Sequence, residues 1–212
     1  MRYSCWNNCR NSRMSRSDKP ALLGWLMLAA AALLLAAMPQ YRPQLMFYPQ
    51  TALQQPWWQY FSGHLLHLGN AHLLANLVAM LLLAGMAWRR QQLRQALLAL
   101  VVSILGVDLG LIVQGTVGWY VGLSGALHGV FAWLMLAPQP HTTGREKLLP
   151  LLWLLGIVKI YIDLHTNQQW LGIPTVPQAH FYGFVSGSLL AIAFYWRRQA
   201  SNTPAAINSK PE

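Results

Sequence analysis

Residues 121–130 read VGLSGALHGV, a serine and a histidine four positions apart in a segment otherwise apolar enough to lie in lipid. The rest of the chain has the same character. Of its 212 residues 55% are hydrophobic and 9% charged, which is outside the range of a soluble globular domain and inside that of a polytopic membrane protein. The expected class is therefore all-α, with one membrane domain. A net charge of +10 would suit nucleic acid, but the basic residues fall in separate clusters between apolar runs, so a nucleic-acid partner is not expected. Cys5 and Cys9, both in the polar N-terminal tail, cannot make a disulfide framework.

A bilayer core needs roughly 20 apolar residues per helix, with about 17 as a lower limit. That ruler predicts six spans, near 20–38, 72–88, 93–114, 122–138, 147–164 and 179–196. The first run, LLGWLMLAAAALLLAAM, follows a basic tail but is longer than the 7–15 residues of a signal-peptide core, and reads as a span. Arg2, Arg10, Arg13, Arg16 and Lys19 precede it. Arg89, Arg90 and Arg94 separate spans two and three, Arg145 and Lys147 separate four and five, and Arg197 and Arg198 follow six. The alternate loops hold only Arg42, so the positive-inside rule predicts both termini in the cytoplasm. The resulting organisation is a basic tail over 1–19, a six-span domain over 20–197 and a polar, disordered tail over 198–212.

Orientation places the polar side chains in depth. Spans two, four and six run from outside to inside, and each carries polar groups near its outer end: His72 and Asn76, Ser124 and His128, and His180. At about 1.5 Å per residue these groups share one layer. Polar groups within a membrane usually face the bundle interior or a water-filled cavity.

The stretch before the serine, QGTVGWYVGLSG, carries Gly115, Gly118, Gly122 and Gly125, which suits an irregular loop dipping into the protein ahead of a helix. Ser124 would open that helix, either as an N-cap or as a nucleophile, and the free amides of the first turn would serve a developing oxyanion equally well. A serine nucleophile needs a base within hydrogen-bond reach. His128 leans back toward Ser124 from one turn on. His180 is distant in sequence, but Gly183 and Gly187 follow it on one face, and Gly125 and Gly129 form a matching small-xxx-small pair on helix four. Packing through these faces would bring Ser124 and His180 together.

These residues add up to a resemblance. Gly122-Leu123-Ser124-Gly125 resembles the GxSG of the rhomboid intramembrane serine proteases, and Ala179-His180-Phe181-Tyr182-Gly183 through Gly187 their AHxxGxxxG helix. In HLLHLGNAHLLANL, His72 and Asn76 stand at the family's HxxxN positions, and the similarity runs over roughly 20–197. The resemblance implies a six-transmembrane-helix rhomboid-like bundle, N-in/C-in, and a Ser–His dyad with no third acidic member. Ser124 would be the nucleophile, His180 the general base, and His72, Asn76 and the Ser124 amide the oxyanion donors; Gly122, Gly125 and His128 are expected to support the site. No cofactor and no metal are implied. The implied partners are the lipid bilayer and single-pass, membrane-anchored protein substrates, in a bacterial inner membrane with the site opening outward. GLSGALHG, FSGHLLHLG and the compact core are similar to the rhombosortase branch, whose members are expected to cleave near a C-terminal Gly-Gly-containing anchor. The first outer loop departs from many rhomboids in having Trp58-Gln59 where they carry Trp-Arg.

The remaining polar residues admit plainer readings. His64, His67 and His72 are an alternative metal or haem set, although no Cys or carboxylate clusters with them in sequence, and His67 also reads as a donor to loop backbone. Asp108 lies in span three; Lys159 and Asp163 form an i,i+4 pair near the outer end of span five, and the sharper reading is that Asp163 or Asp108 lines the substrate entrance or supports the catalytic layer. Ser103, Ser186 and Ser188 read as bonding to carbonyls four residues back. Trp57, Trp58 and Tyr60 in QQPWWQYF read as interfacial anchors. Competing functions are a non-catalytic rhomboid-like binder of membrane helices, a broader quality-control protease of orphan subunits, and a redox or metal protein.

Overall fold

Each of the six apolar segments forms a helix in the computed structural model, which describes residues 18–138, 148–166 and 175–202. In chain order the long helices are α1 (Lys19–Ala36), α4 (Asn70–Arg89), α5 (Leu93–Gln114), α6 (Ser124–Leu136), α7 (Leu149–His165) and α8 (Pro177–Asn202). Between α1 and α4 lie two short helices, α2 (Arg42–Leu45) and α3 (Gln59–Leu65), with 3-10 turns over Pro39–Tyr41 and Pro49–Gln54. The only strand-like pairing among the described residues is an isolated antiparallel bridge between Phe47 and Tyr120. Helices α1, α4 and α5 are long and apolar enough to cross a bilayer. With 13 residues, α6 reaches about 20 Å, short of the roughly 30 Å hydrocarbon core.

The short helix is the buried one. Nine of the 13 residues of α6 are buried, because α4, α5, α7 and α8 all pack around it. In the core cluster its Trp133 and Leu134 join Leu100 and Ile104 of α5, each 5% exposed or less. By contrast α7 has one buried residue, Ile160, and turns Leu151, Leu154, Leu155 and Val158 outward. Lipid is the natural partner of such an apolar outer face.

Glycine sets how closely α6 and α8 approach. A Cβ on Gly183 would overlap the Gly125 carbonyl, and one on Gly187 the Gly129 carbonyl. A Cβ on Gly129 would run into Ser103 Oγ on α5. The third helix in this layer is held in the same way, since Gly106 and Gly110 of α5 face Ser186 and the Tyr182 ring of α8. The α6–α8 contacts are backbone to backbone and those of α5 set side chains against glycine, close approaches of the kind that associate helices where lipid offers no hydrophobic gain.

The expected re-entrant loop is present over 115–123. Gly115 ends α5 in the left-handed region at φ +66° and closes it with a bond to the Leu111 carbonyl. Gly122 at φ +119° makes the turn into α6, a conformation L side chains rarely adopt. The segment between α1 and α4, the expected outer segment, clamps this loop. Tyr120 N–H donates to Phe47 O at 2.7 Å, Phe47 N–H to Tyr120 O at 3.2 Å, and Gly122 N–H to Gly63 O at 3.0 Å. A buried hydrogen bond between His64 Nε2 and Asp108 Oδ1, 3.0 Å apart, ties α3 to α5, and the His64 ring sits edge-on to Tyr120 at 5.2 Å.

Several expectations need correction. The stretch 198–202, expected to belong to a disordered tail, continues α8 to Asn202. Ser186 and Ser188 do bond to the carbonyls of Tyr182 and Phe184, but buried Ser103 Oγ has no hydrogen-bond partner, because it faces the glycine face of α6 instead of its own backbone. Gln59 is a buried brace whose Nε2 donates to Gln44 O at 2.9 Å, so the Trp-Gln variant holds the outer segment together. Trp57 and Trp58 are exposed as anchors should be, while Tyr60 is turned inward onto Phe47 and donates to Ala52 O. Arg42, the exception to the charge pattern, donates to His67 O at 3.3 Å within the outer segment. Cys5, Cys9, Arg2, Arg10, Arg13, Arg16, Arg145 and Lys147 lie outside the described residues.

Gly183→Val therefore forces α6 and α8 apart, with an overpacking cost of about 1–3 kcal/mol. Unfolding of the purified full chain in detergent should show that loss, while valine at the open position Gly85, whose Cβ meets nothing within 4 Å, should leave the transition in place.

Candidate active site

The close approach of α6 and α8 puts Ser124 Oγ 3.0 Å from His180 Nε2. Ser124 is the first residue of α6, and Leu123 occupies the cap position with no side-chain capping bond. The hydroxyl is thus not spent on the helix end, and the cap reading of Ser124 does not hold. His180 is 7% exposed and opens α8 one turn above Gly183.

His128 does not compete for the hydroxyl. Its Nδ1–H donates to the Ser124 backbone carbonyl at 2.7 Å, and its ring stacks on that of His180 with centroids 4.2 Å apart and planes at 19°. With Nδ1 carrying the proton, His128 Nε2 is an acceptor, and Lys159 Nζ donates to it at 2.9 Å. Lys159 also donates to Asp163 Oδ2, one turn on along α7. The same carboxylate oxygen accepts from His180 Nδ1 at 3.1 Å.

This differs from the expected acid-free pair, since a carboxylate contacts the far nitrogen of the histidine. The helical period put Lys159 and Asp163 on one face of α7, but only packing of that face against α6 and α8 shows where they point. Among the described residues, the one group of donors spaced to hold a metal is His128, Asp163 and His180, with ligand atoms within 4.8 Å of one another. The cation among them is the Lys159 ammonium, 3.5 Å from His180 Nδ1. The metal reading of His64, His67 and His72 fails on geometry. His64 is committed to Asp108, and only His67 and His72 adjoin, with rings 5.0 Å apart.

A cavity of about 130 Å³ opens beside Ser124, lined by His72, Trp119, Tyr120, Val121, Thr175 and Val176 among others. His72 Cε1 and Nε2 and Ser124 Oγ all lie within 4.0 Å of where a Cβ on Gly122 would stand, so glycine keeps the space open between them. Asn76 is buried one turn below His72 and donates its amide to the His72 carbonyl at 2.9 Å. It is not among the residues lining the cavity. Tyr120 was not anticipated from sequence; it is 2% exposed and its hydroxyl donates to Gly122 O at 2.7 Å, bracing the turn before Ser124. One aromatic in a run of several gave no signal of this.

His72, Ser124, His128 and His180 thus converge from α4, α6 and α8, with Asn76 turned to the His72 carbonyl. Developing negative charge beside Ser124 would meet the free amides at the start of α6 and its positive dipole end. A hydroxyl bonded to an imidazole, with amides and a second imidazole across an open cavity, is an arrangement suited to acyl transfer.

The family model described as Rhomboid domain matches residues 54–197, well over half of the chain. No curated protein matches it. The match begins in the outer segment, so α1 lies outside it and the similarity is narrower than the 20–197 expected from sequence. The chain belongs to the rhomboid family, a family of intramembrane proteases, and is a multi-pass membrane protein.

The outer rim carries a pH-sensitive contact. His67, between α3 and α4, is held down at about 4 by burial and by the neighbouring His72, against a bond to Leu65 O that raises it. Because the folded value lies below the free value of 6.5, stability from neutral His67 is complete above about 6.5 and is lost as pH falls toward about 4. Melting temperature followed over that window should drop in the wild type and drop less in His67→Asn, which keeps a donor for Leu65 O but cannot be charged.

Proposed function

We propose that this rhomboid-family chain is an intramembrane serine endopeptidase that cleaves membrane-anchored proteins, with Ser124 as nucleophile and His180 as general base. The observation that carries the reading is the 3.0 Å bond from Ser124 Oγ to His180 Nε2 across two helices, beside an open cavity. A pair of that kind has no use in a helix-binding module, which would be free to lose either member.

In the first half-reaction His180 Nε2 takes the hydroxyl proton as Oγ bonds to the scissile carbonyl carbon, and the carbonyl π pair moves to oxygen. The oxyanion is met by the Ser124 amide and His72, with Asn76 as a further donor once its side chain turns from the His72 carbonyl. The imidazolium then passes its proton to the leaving amine, which departs with the C–N bond pair and leaves an acyl-enzyme. Water from the cavity, whose 130 Å³ has room for several molecules, repeats the sequence in reverse roles. His128 keeps the His180 ring in plane by stacking.

In topology the reading is a six-span, N-in/C-in bundle in a bacterial inner membrane, with α7 and α8 joining the three long apolar helices and the loop 115–123 completing the span of short α6. The active layer then opens to the outer face. GLSGALHG and FSGHLLHLG support the finer reading, the rhombosortase branch, whose substrates are exported proteins with a Gly-Gly-containing C-terminal anchor.

The test is cleavage of a C-terminally anchored reporter in membranes at matched expression. Ser124→Ala and His180→Ala should each abolish cutting, a loss of at least about 10³-fold, while His128→Ala still cuts. Cutting by Ser124→Ala would overturn the assignment. Replacing the reporter's glycine pair with valine should stop cleavage if the branch reading holds; continued cutting would favour a broader quality-control protease.

A further inference from the structure

The proposed protease site contains an ionic group that its Ser–His chemistry has not used. Asp163 and His180 have side chains 10% and 9% exposed, and they meet at 3.1 Å between α7 and α8. An unpaired carboxylate at this depth would be costly, and a carboxylate on a membrane helix is by default a functional group with a partner to be named. Here there are two partners, and both use the same oxygen. Lys159, whose side chain is 41% exposed, and His180 Nδ1 both donate to Asp163 Oδ2.

For neutral imidazoles, the nearer partners select one tautomer for each histidine of the group. Carbonyl Ser124 O accepts from His128 Nδ1, so His128 Nε2 must accept, and the donor it faces is the Lys159 ammonium. The carboxylate accepts from His180 Nδ1, so His180 Nε2 is left as a lone pair aimed at Ser124 Oγ. The proton arrangement that a general base requires is thus dictated from α7. Without the carboxylate, the neighbour at 3.5 Å from Nδ1 is an ammonium, which would favour a lone pair on Nδ1 and put the proton on Nε2, the tautomer that cannot accept from serine.

We infer that Asp163 is a positioning residue for His180, making the working unit a Ser124–His180–Asp163 triad with Lys159 as the fixed counter-ion of its acid. The inference rests on the protease reading above. As Ser124 Oγ bonds to the substrate carbonyl carbon and its proton moves to Nε2, the positive charge on the ring faces Asp163. The carboxylate takes no proton; it holds Nδ1–H and stabilises the imidazolium. Lys159 donates to the carboxylate and, by donating also to His128 Nε2, fixes the ring that stacks on His180.

The experiment is steady-state cleavage of an anchored substrate by the full chain in liposomes, with wild type, Asp163→Asn, Asp163→Glu, Ser124→Ala and His180→Ala, and melting temperatures in parallel. Asparagine keeps the shape and can accept from Lys159, but it then turns an amide donor toward Nδ1. The expected result is a kcat loss of at least about 10²-fold, toward the roughly 10⁴-fold of a wrong tautomer, with KM and melting temperature close to wild type. Asp163→Glu, which retains the acceptor, should recover about tenfold or more over asparagine. Should Asp163→Asn not accumulate, Asp163→Ala carries the same kinetic test. Asn or Ala cutting within about threefold of wild type while His180→Ala is inactive would overturn the triad and leave the protease reading standing. So would a loss that follows melting temperature and that glutamate does not relieve. Activity in Ser124→Ala would instead remove the reading on which the triad rests.

Discussion

The backbone contact between α6 and α8 governs this molecule. Gly125 and Gly129 face Gly183 and Gly187 so closely that a single methyl on either glycine of α8 would overlap a main-chain carbonyl. Lipid gives helices no hydrophobic reason to associate, so close approach through small residues supplies the contact. The same contact sets the chemistry. Ser124 precedes Gly125 and His180 lies three residues before Gly183, so the glycine register carries a hydroxyl and an imidazole to 3.0 Å.

Around that contact the chain solves two further problems that lipid imposes. An irregular backbone must be covered, and the loop 115–123 is covered by the outer segment through the Phe47–Tyr120 bridge, the Gly63–Gly122 bond and the His64–Asp108 pair beneath them. Polar side chains must find partners, and those of Ser124, His128 and His180 do so across helices. His180 bonds to Ser124 on α6 and to Asp163 on α7, and His128 on α6 receives Lys159 from α7. Helix α7, otherwise the least buried of the long helices, is thus fastened to the site by its charged face. Much of the apolar remainder of α7 faces outward, while Ile160 packs against Ala132 and Phe184 and Trp153 Nε1 donates to Ser188 Oγ at 3.0 Å, a second polar link to the bundle.

Much of this was legible in the residues. The six apolar runs predicted six helices in nearly the right places, because apolar run length is a direct measure of what lipid accepts. Ser124, His180 and the paired glycines stood out because each is anomalous where it lies. A glycine-rich stretch before a lone serine in an apolar helix leaves few readings. The limits of α6 were less legible, since VGLSGALHGV is as apolar before the serine as after it, and only the φ of Gly122 separates loop from helix. Asn76 was placed in the layer by its helical period, but its amide turns to the His72 carbonyl, a rotamer that no spacing reveals.

The sequence by itself determined that the chain belongs in a membrane and that serine and histidine are the pair to watch, because composition, apolar run length and residue spacing are all linear properties. Only the tertiary structure decided which nitrogen of which histidine meets the serine, and that Asp163 and Lys159, read as a simple i,i+4 pair, close around that histidine. A helical period fixes the face on which a side chain stands but not what stands opposite. That depends on the rotation and distance between helices, which here the glycines set.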